Sequence, residues 1–149
     1  MNLQIISQQY MLPILIGVCS SLATTYLKEY LNRKVFKLKR LEEKYQNFYL
    51  PFVDLYNTNV FGATNFTDFT PELQKEFYDM VTRYEYRYKD SVTYDLIYCF
   101  KSAFNMKFAP DFDQIMTYDD YVKSLNDNFN NLVTRMLDLQ ENAREELKY

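Results

Sequence analysis

The sequence predicts an all-α protein in which an N-terminal membrane helix continues into a cytoplasmic bundle of three to four helices. Three observations carry this expectation. The 149 residues include only two Gly and four Pro, too few for a many-stranded β architecture, which needs a turn signal about every 8 to 12 residues. Apolar residues recur at spacings of three and four over long stretches, the period of a helix with one buried face. No charged side chain occurs from Met1 to Leu27, and Lys28 then opens a basic run.

The uncharged segment supplies the first element. Residues 10–27 would cover roughly 27 Å as a helix, at the short end of a bilayer's hydrocarbon thickness. Tyr10, Leu12, Ile14, Leu15, Ile16, Val18, Leu22, Tyr26 and Leu27 form its membrane-facing set, with the two tyrosines placed as interfacial aromatics. Ser20, Ser21, Thr24 and Thr25 weaken its hydropathy, but such hydroxyls can bond carbonyls one turn earlier and need no outside partner in lipid. Other readings stand beside a span. A cleaved secretory signal has a suitable Ser21-Leu22-Ala23 site but lacks a basic region before it. A lipoprotein would use Cys19, with Val18 a poor residue to precede it. A buried helix of a soluble core is the remaining alternative.

Charge sets the expected orientation and divides the chain. From Lys28 to Lys44 there are seven bases (Lys28, Arg33, Lys34, Lys37, Lys39, Arg40, Lys44) against three acids (Glu29, Glu42, Glu43). This excess next to a span places the rest of the chain in the cytoplasm of a single-pass protein of the cell membrane. The expected parts are a membrane segment over 1–27, a basic juxtamembrane helix over 28–50, with Lys28, Arg33, Lys34, Lys37, Lys39 and Arg40 as its anchor, and an acidic helical domain over 51–149. Tyr45 to Tyr149 holds ten bases and seventeen acids, a balance that disfavours nucleic acid.

The helices follow in order. A stripe at Leu27, Leu31, Leu38, Leu41, Tyr45, Phe48, Phe52 and Leu55 continues the first helix until Pro51 imposes a kink or break near Leu50. Asn57 to Asp68 reads as a loop. Thr70-Pro71-Glu72 starts the next helix: a Thr cap, Pro at the first position and an acid near the positive end of the dipole. Phe77, Met80, Val81, Tyr84 and Tyr88 form its apolar face, while the alternation of Tyr84, Tyr86 and Tyr88 leaves a strand open as an alternative there. A further helix after Asp90-Ser91 is expected to bury Val92, Leu96, Cys99, Phe100, Ala103 and Phe104. Cys19 and Cys99 read as small buried hydrophobes that do not pair. Asn105 to Met116 reads as a loop around Pro110.

Thr117-Tyr118-Asp119-Asp120 caps the last helix, with an acid where a capping box has Glu or Gln. Its stripe is the most regular in the chain: Val122, Leu125, Phe129, Leu132, Met136, Leu139 and Ala143 alternate three and four and so require a helical partner. That partner is either the Leu27 to Leu55 helix of the same chain or a second copy sharing the seam.

The chain contains no histidine, which removes the commonest general base and every Ser-His or Cys-His nucleophile pair. Phosphate-binding Gly motifs, C-x-x-C and H-E-x-x-H are also missing from the sequence. Carboxylates remain. Asp111 and Asp113, with Asp119 and Asp120 nearby, lack the Gly and terminal Glu of a calcium loop and read more simply as solvated loop and cap acids. The sequence implies no catalytic residue, cofactor, metal or small-molecule substrate. The fifteen tyrosines read as core and interface residues.

The N-terminal span, the basic stretch and the segment Leu41-Glu42-Glu43-Lys44-Tyr45-Gln46-Asn47-Phe48-Tyr49-Leu50-Pro51-Phe52 resemble the layout of small membrane-anchored helical proteins of bacteria and their prophages. In those, a basic helix runs into a Tyr-containing segment closed by Pro and an apolar residue. The resemblance covers about the first third of the chain and implies neither an enzyme nor a defined site. Some prophage proteins of this layout are superinfection exclusion factors. The resulting expectation is a non-enzymatic helical interaction protein whose partners are the bilayer and another protein, self included. The alternative is a soluble oligomeric binding module whose apolar N-terminal helix is an interface, and a carboxylate-dependent metal hydrolase or transferase is a third class.

Overall fold

The computed structural model describes residues 3–59, 65–88 and 91–148, with side chains in the first helix described at Met11 and from Pro13 onward and in the fourth from Thr93. Helices are α1 Leu3–Lys44, α2 Leu50–Asn59, α3 Pro71–Tyr88, α4 Ser91–Met106, α5 Phe112–Ile115 and α6 Tyr118–Leu147, with a π-helical turn at Tyr45–Tyr49 and a 3-10 turn at Phe66–Asp68. Among the described residues there is no strand. Tyr84, Tyr86 and Tyr88 are therefore helical, because Phe77, Val81, Tyr84 and Tyr88 are all buried on one face of α3.

The chain divides into two compact units, Met1–Arg40 and Leu41–Tyr149. The first consists of α1, with Pro13 inside it. Ser21, Thr24 and Thr25 donate their hydroxyls to the carbonyls of Val18, Ser20 and Ser21 at 3.1, 2.7 and 2.8 Å. Among the described residues the second unit contains all of the buried core, which begins at Tyr45. The segment 41–50 thus belongs with the packed unit, because Tyr45, Phe48 and Tyr49 insert into its core.

Pro51 explains the π-helical turn. Its missing amide deprives the Asn47 carbonyl of the usual helical donor, and its ring crowds the preceding turn. The chain widens by one residue instead of breaking: the Leu50 amide reaches back to the Tyr45 carbonyl, and α2 continues to Asn59. Rings from several elements then fill the interior. Phe66 is fully buried and lies 4.4 Å from Phe129 and 5.2 Å from Phe100 between ring centroids. Phe77 meets Phe129 at 5.2 Å and Phe52 at 5.3 Å, both edge to face, a favoured arrangement of ring quadrupoles.

The expectation of a plain loop from Asn57 to Asp68 is corrected twice: Asn57–Asn59 still belong to α2, and Phe66 is a core residue, as is Phe69 just beyond the segment; Val60 to Thr64 lie outside the described residues. A buried non-helical backbone must find hydrogen bonds elsewhere. Asn126 of α6 accepts from the Thr67 amide at 3.1 Å and donates to the Thr67 hydroxyl at 3.2 Å. Gln74 of α3 donates to the carbonyls of Phe66 and Phe69 at 3.2 and 3.1 Å.

The caps form locally. Thr70 Oγ1 accepts from the Leu73 amide at 3.3 Å, and Thr117 Oγ1 accepts from the Asp120 amide at 3.2 Å while donating to the Asp120 carboxylate at 2.7 Å. The face of α4 differs from expectation. Thr93 and Ile97 are buried, Leu96 is only partly so, and Cys99 is exposed; the Val92 side chain lies outside the described residues. The Thr93 hydroxyl hydrogen-bonds with Tyr84, so a polar residue occupies the core line and turns the helix by about one residue. Cys19 is also exposed, which corrects its reading as a buried hydrophobe, and both thiols are free. The expected loop from Asn105 to Met116 contains the short α5.

Candidate interaction surfaces

The N-terminal unit places its apolar residues outward. Ile14, Leu15, Ile16, Val18, Leu22, Tyr26 and Leu27 are all exposed, as are Met11, Tyr30, Leu31, Val35 and Phe36 further along. Ile14, Leu15 and Ile16 are consecutive, so they spread over about 200° of the helix circumference rather than along one stripe. The side chains of Tyr10 and Leu12, expected in the same set, lie outside the described residues. Among the described residues no helix is long and apolar enough to cross a membrane. Ser20, Ser21, Thr24 and Thr25 lower the hydropathy of the C-terminal half of the uncharged segment, and Lys28 ends it.

The basic residues Lys28, Arg33, Lys34, Lys37 and Arg40 are exposed and Lys39 is too. Arg33 pairs with Glu29 one turn away at 2.5 Å, a solvent-exposed contact of small energetic consequence. The basic and apolar residues alternate around the same stretch, with Phe36 67% exposed beside Lys37.

The stripe of α6 lies inside the chain's own core. Leu125, Phe129, Leu132, Met136 and Ala143 are buried, with Val122 and Leu139 packed against them. Its main neighbour is α4, followed by the π-helical turn, α2 and the 3-10 turn. Asn126 and Val133 are buried beside the stripe, so the contact face is broader than a two-helix seam.

The carboxylates do not gather. Asp119 and Asp120 occupy the first turn of α6, where they complement the dipole, and Asp111 and Asp113 flank the start of α5. Among the described residues no group of three or more His, Cys, Asp or Glu is placed to hold a metal ion.

A groove with polar and apolar lining lies instead between the π-helical turn and α3. Its volume is about 340 Å³, with Phe48, Pro51, Met80 and Tyr84 inside and Arg83 and Arg87 at its edge. Phe48 stacks on Tyr84 with centroids 3.9 Å apart. Arg87 pairs with Glu43 at 2.5 Å and lies 5.5 Å from the Tyr88 ring. Behind the groove the Tyr49 and Tyr84 hydroxyls are 3.3 Å apart. Burial pushes the Tyr84 hydroxyl well above the usual tyrosine range, and the hydrogen bond to Tyr49 adds to it. Tyr88 is raised by burial and by the Glu43 charge, and Tyr121 by burial.

Sequence reasoning grouped Tyr84 and Tyr88 with the core and passed over the arginines beside them. The signal was present as Arg83-Tyr84-Glu85-Tyr86-Arg87-Tyr88: two Arg-Tyr pairs four residues apart put both cations on one line of a helix and both rings on the next. Compared with family models, curated proteins and solved structures, the chain matches none.

Proposed function

We propose that the chain is a non-enzymatic, membrane-anchored helical interaction protein, in which the uncharged end of α1 enters the bilayer and Leu41–Tyr149 is the cytoplasmic partner-binding unit. The observation that carries this reading is the apolar surface exposed around the N-terminal helix. A seam between two copies covers one stripe of a helix, whereas lipid covers its whole circumference, and a helix apolar all round belongs in such surroundings. The back-bonded hydroxyls of Ser21, Thr24 and Thr25 suit the same environment, because they demand no water. From Leu3 to Leu27 the uncharged run would measure roughly 37 Å as a helix, enough for about 30 Å of hydrocarbon. The basic run that follows favours the cytoplasmic side. Superinfection exclusion at a host membrane is one concrete instance of such a role.

Alkaline carbonate extraction of cells expressing the full chain tests the reading. The protein should stay in the membrane pellet, and detergent should release it. Release by carbonate alone, with an oligomer on sedimentation, would favour the soluble binding module instead.

A further inference from the structure

We infer that the groove between the π-helical turn and α3 is a binding site for a small organic anion with a flat apolar body, an aryl phosphate or aryl carboxylate in chemical class. This goes beyond the anchoring role and does not depend on it. The volume of about 340 Å³ falls within the range of small-molecule sites. The interior is apolar and aromatic: Phe48 and Tyr84 are buried and stacked at 3.9 Å, and Met80 adds an adaptable thioether surface. The apolar body of a ligand would lie against Pro51 and Met80, the half-buried apolar members of the lining.

The rim supplies the charge. Arg83 and Arg87 stand one helical turn apart on α3 and both line the groove. Arg87 is already engaged by Glu43. Arg83 differs: its described hydrogen bond runs from Nε to the Asp79 carbonyl at 3.3 Å. Its two Nη groups have no acceptor among the described residues. Those groups form the planar fork that pairs with the oxygens of a phosphate or carboxylate.

The local balance also favours an anion. Arg83 and Arg87 both line the groove, with the Glu43 carboxylate as the acid paired beside them. The stretch from Tyr45 as a whole carries ten bases and seventeen acids, so this corner stands out against an acidic background that repels anions elsewhere. The wall opposite α3 is the π-helical turn at Tyr45–Tyr49, and such turns occur frequently at functional sites. It brings Asn47 to the lining, adding a neutral polar group beside the cations.

The test uses the full chain purified in a mild non-ionic detergent, which keeps it in solution whether or not it inserts into a bilayer, with detergent alone as the blank and 1-naphthyl phosphate as the probe, read by fluorescence anisotropy. 1-Naphthol and inorganic phosphate serve as comparison ligands, the former read directly and the latter by displacement. Saturable binding of one 1-naphthyl phosphate per chain is expected, with each comparison ligand at least tenfold weaker. Arg83→Gln should weaken the probe at least tenfold, and Met80→Trp, which fills the groove, should abolish its binding while circular dichroism shows the helical fold intact. Equal affinity for 1-naphthol and 1-naphthyl phosphate, unchanged binding by Arg83→Gln, or no saturable binding to the wild-type chain would overturn the assignment.

Discussion

At the residue scale, Tyr84 concentrates several of the chain's features. It is buried, stacked on Phe48, and hydrogen-bonded to Tyr49 and Thr93. Its hydroxyl is held neutral in the fold to a higher pH than in the unfolded chain, where it ionises near 10. The folded state therefore retains a proton that the unfolded state releases, and stability falls as pH rises through that value. Urea unfolding between pH 8 and 11 should show a declining alkaline limb, and Tyr84→Phe should flatten it; an identical slope in the variant would place the effect on other tyrosines. Much of this residue's position was legible, since Phe77, Val81, Tyr84 and Tyr88 keep helical spacing. Phe66 was not, because it sits in a short turn with no period to reveal it, and its burial is set by long-range contacts with Phe100 and Phe129. Thr93 was hidden for a different reason: a hydroxyl scores as polar until its partner is known.

At the element scale, local chemistry was read more reliably than facing. Thr70-Pro71 and Thr117 mark helix starts because a hydroxyl acceptor and a missing amide act within one turn. The Thr117 cap also offers a direct test. Removing its side chain leaves the Asp120 amide without its described acceptor, so Thr117→Ala should destabilise the protein by about 0.5–2 kcal/mol in chemical denaturation. Thr117→Ser should recover most of the loss; no recovery would show that the methyl packing matters more than the cap. Pro51 illustrates the limit of sequence reading. It specifies which carbonyl loses its donor, but a kink, a break and a π-helical turn all accommodate that loss, and tertiary packing of Phe48, Tyr49 and Phe52 selects among them. The stripe of α6 was legible from its spacing alone, whereas its neighbours were not, because periodicity gives the face of a helix and never the identity of what covers it.

At the scale of the whole molecule, the two units are held together by different physics. Leu41–Tyr149 carries a contiguous buried core, while among the described residues Met1–Arg40 contributes no buried core residue. Stability of a cooperative unit comes mainly from apolar burial, so deletion of residues 1–40 should leave a helical domain with a single sharp thermal transition. Because the deleted part also carries six of the seven bases between Lys28 and Lys44, the same truncation should lose affinity for anionic lipid vesicles. Charges near such a surface contribute about 1 kcal/mol each and are screened by salt. A chain lacking only residues 1–27 separates the two contributions: it should bind anionic vesicles at low salt, release them at high salt, and ignore neutral vesicles. Salt-resistant binding of that shorter chain would show that Tyr30, Leu31, Val35 and Phe36 hold lipid by apolar contact, moving the anchor downstream into the basic stretch. Thermal melting followed by circular dichroism, combined with vesicle flotation at two ionic strengths, distinguishes these outcomes.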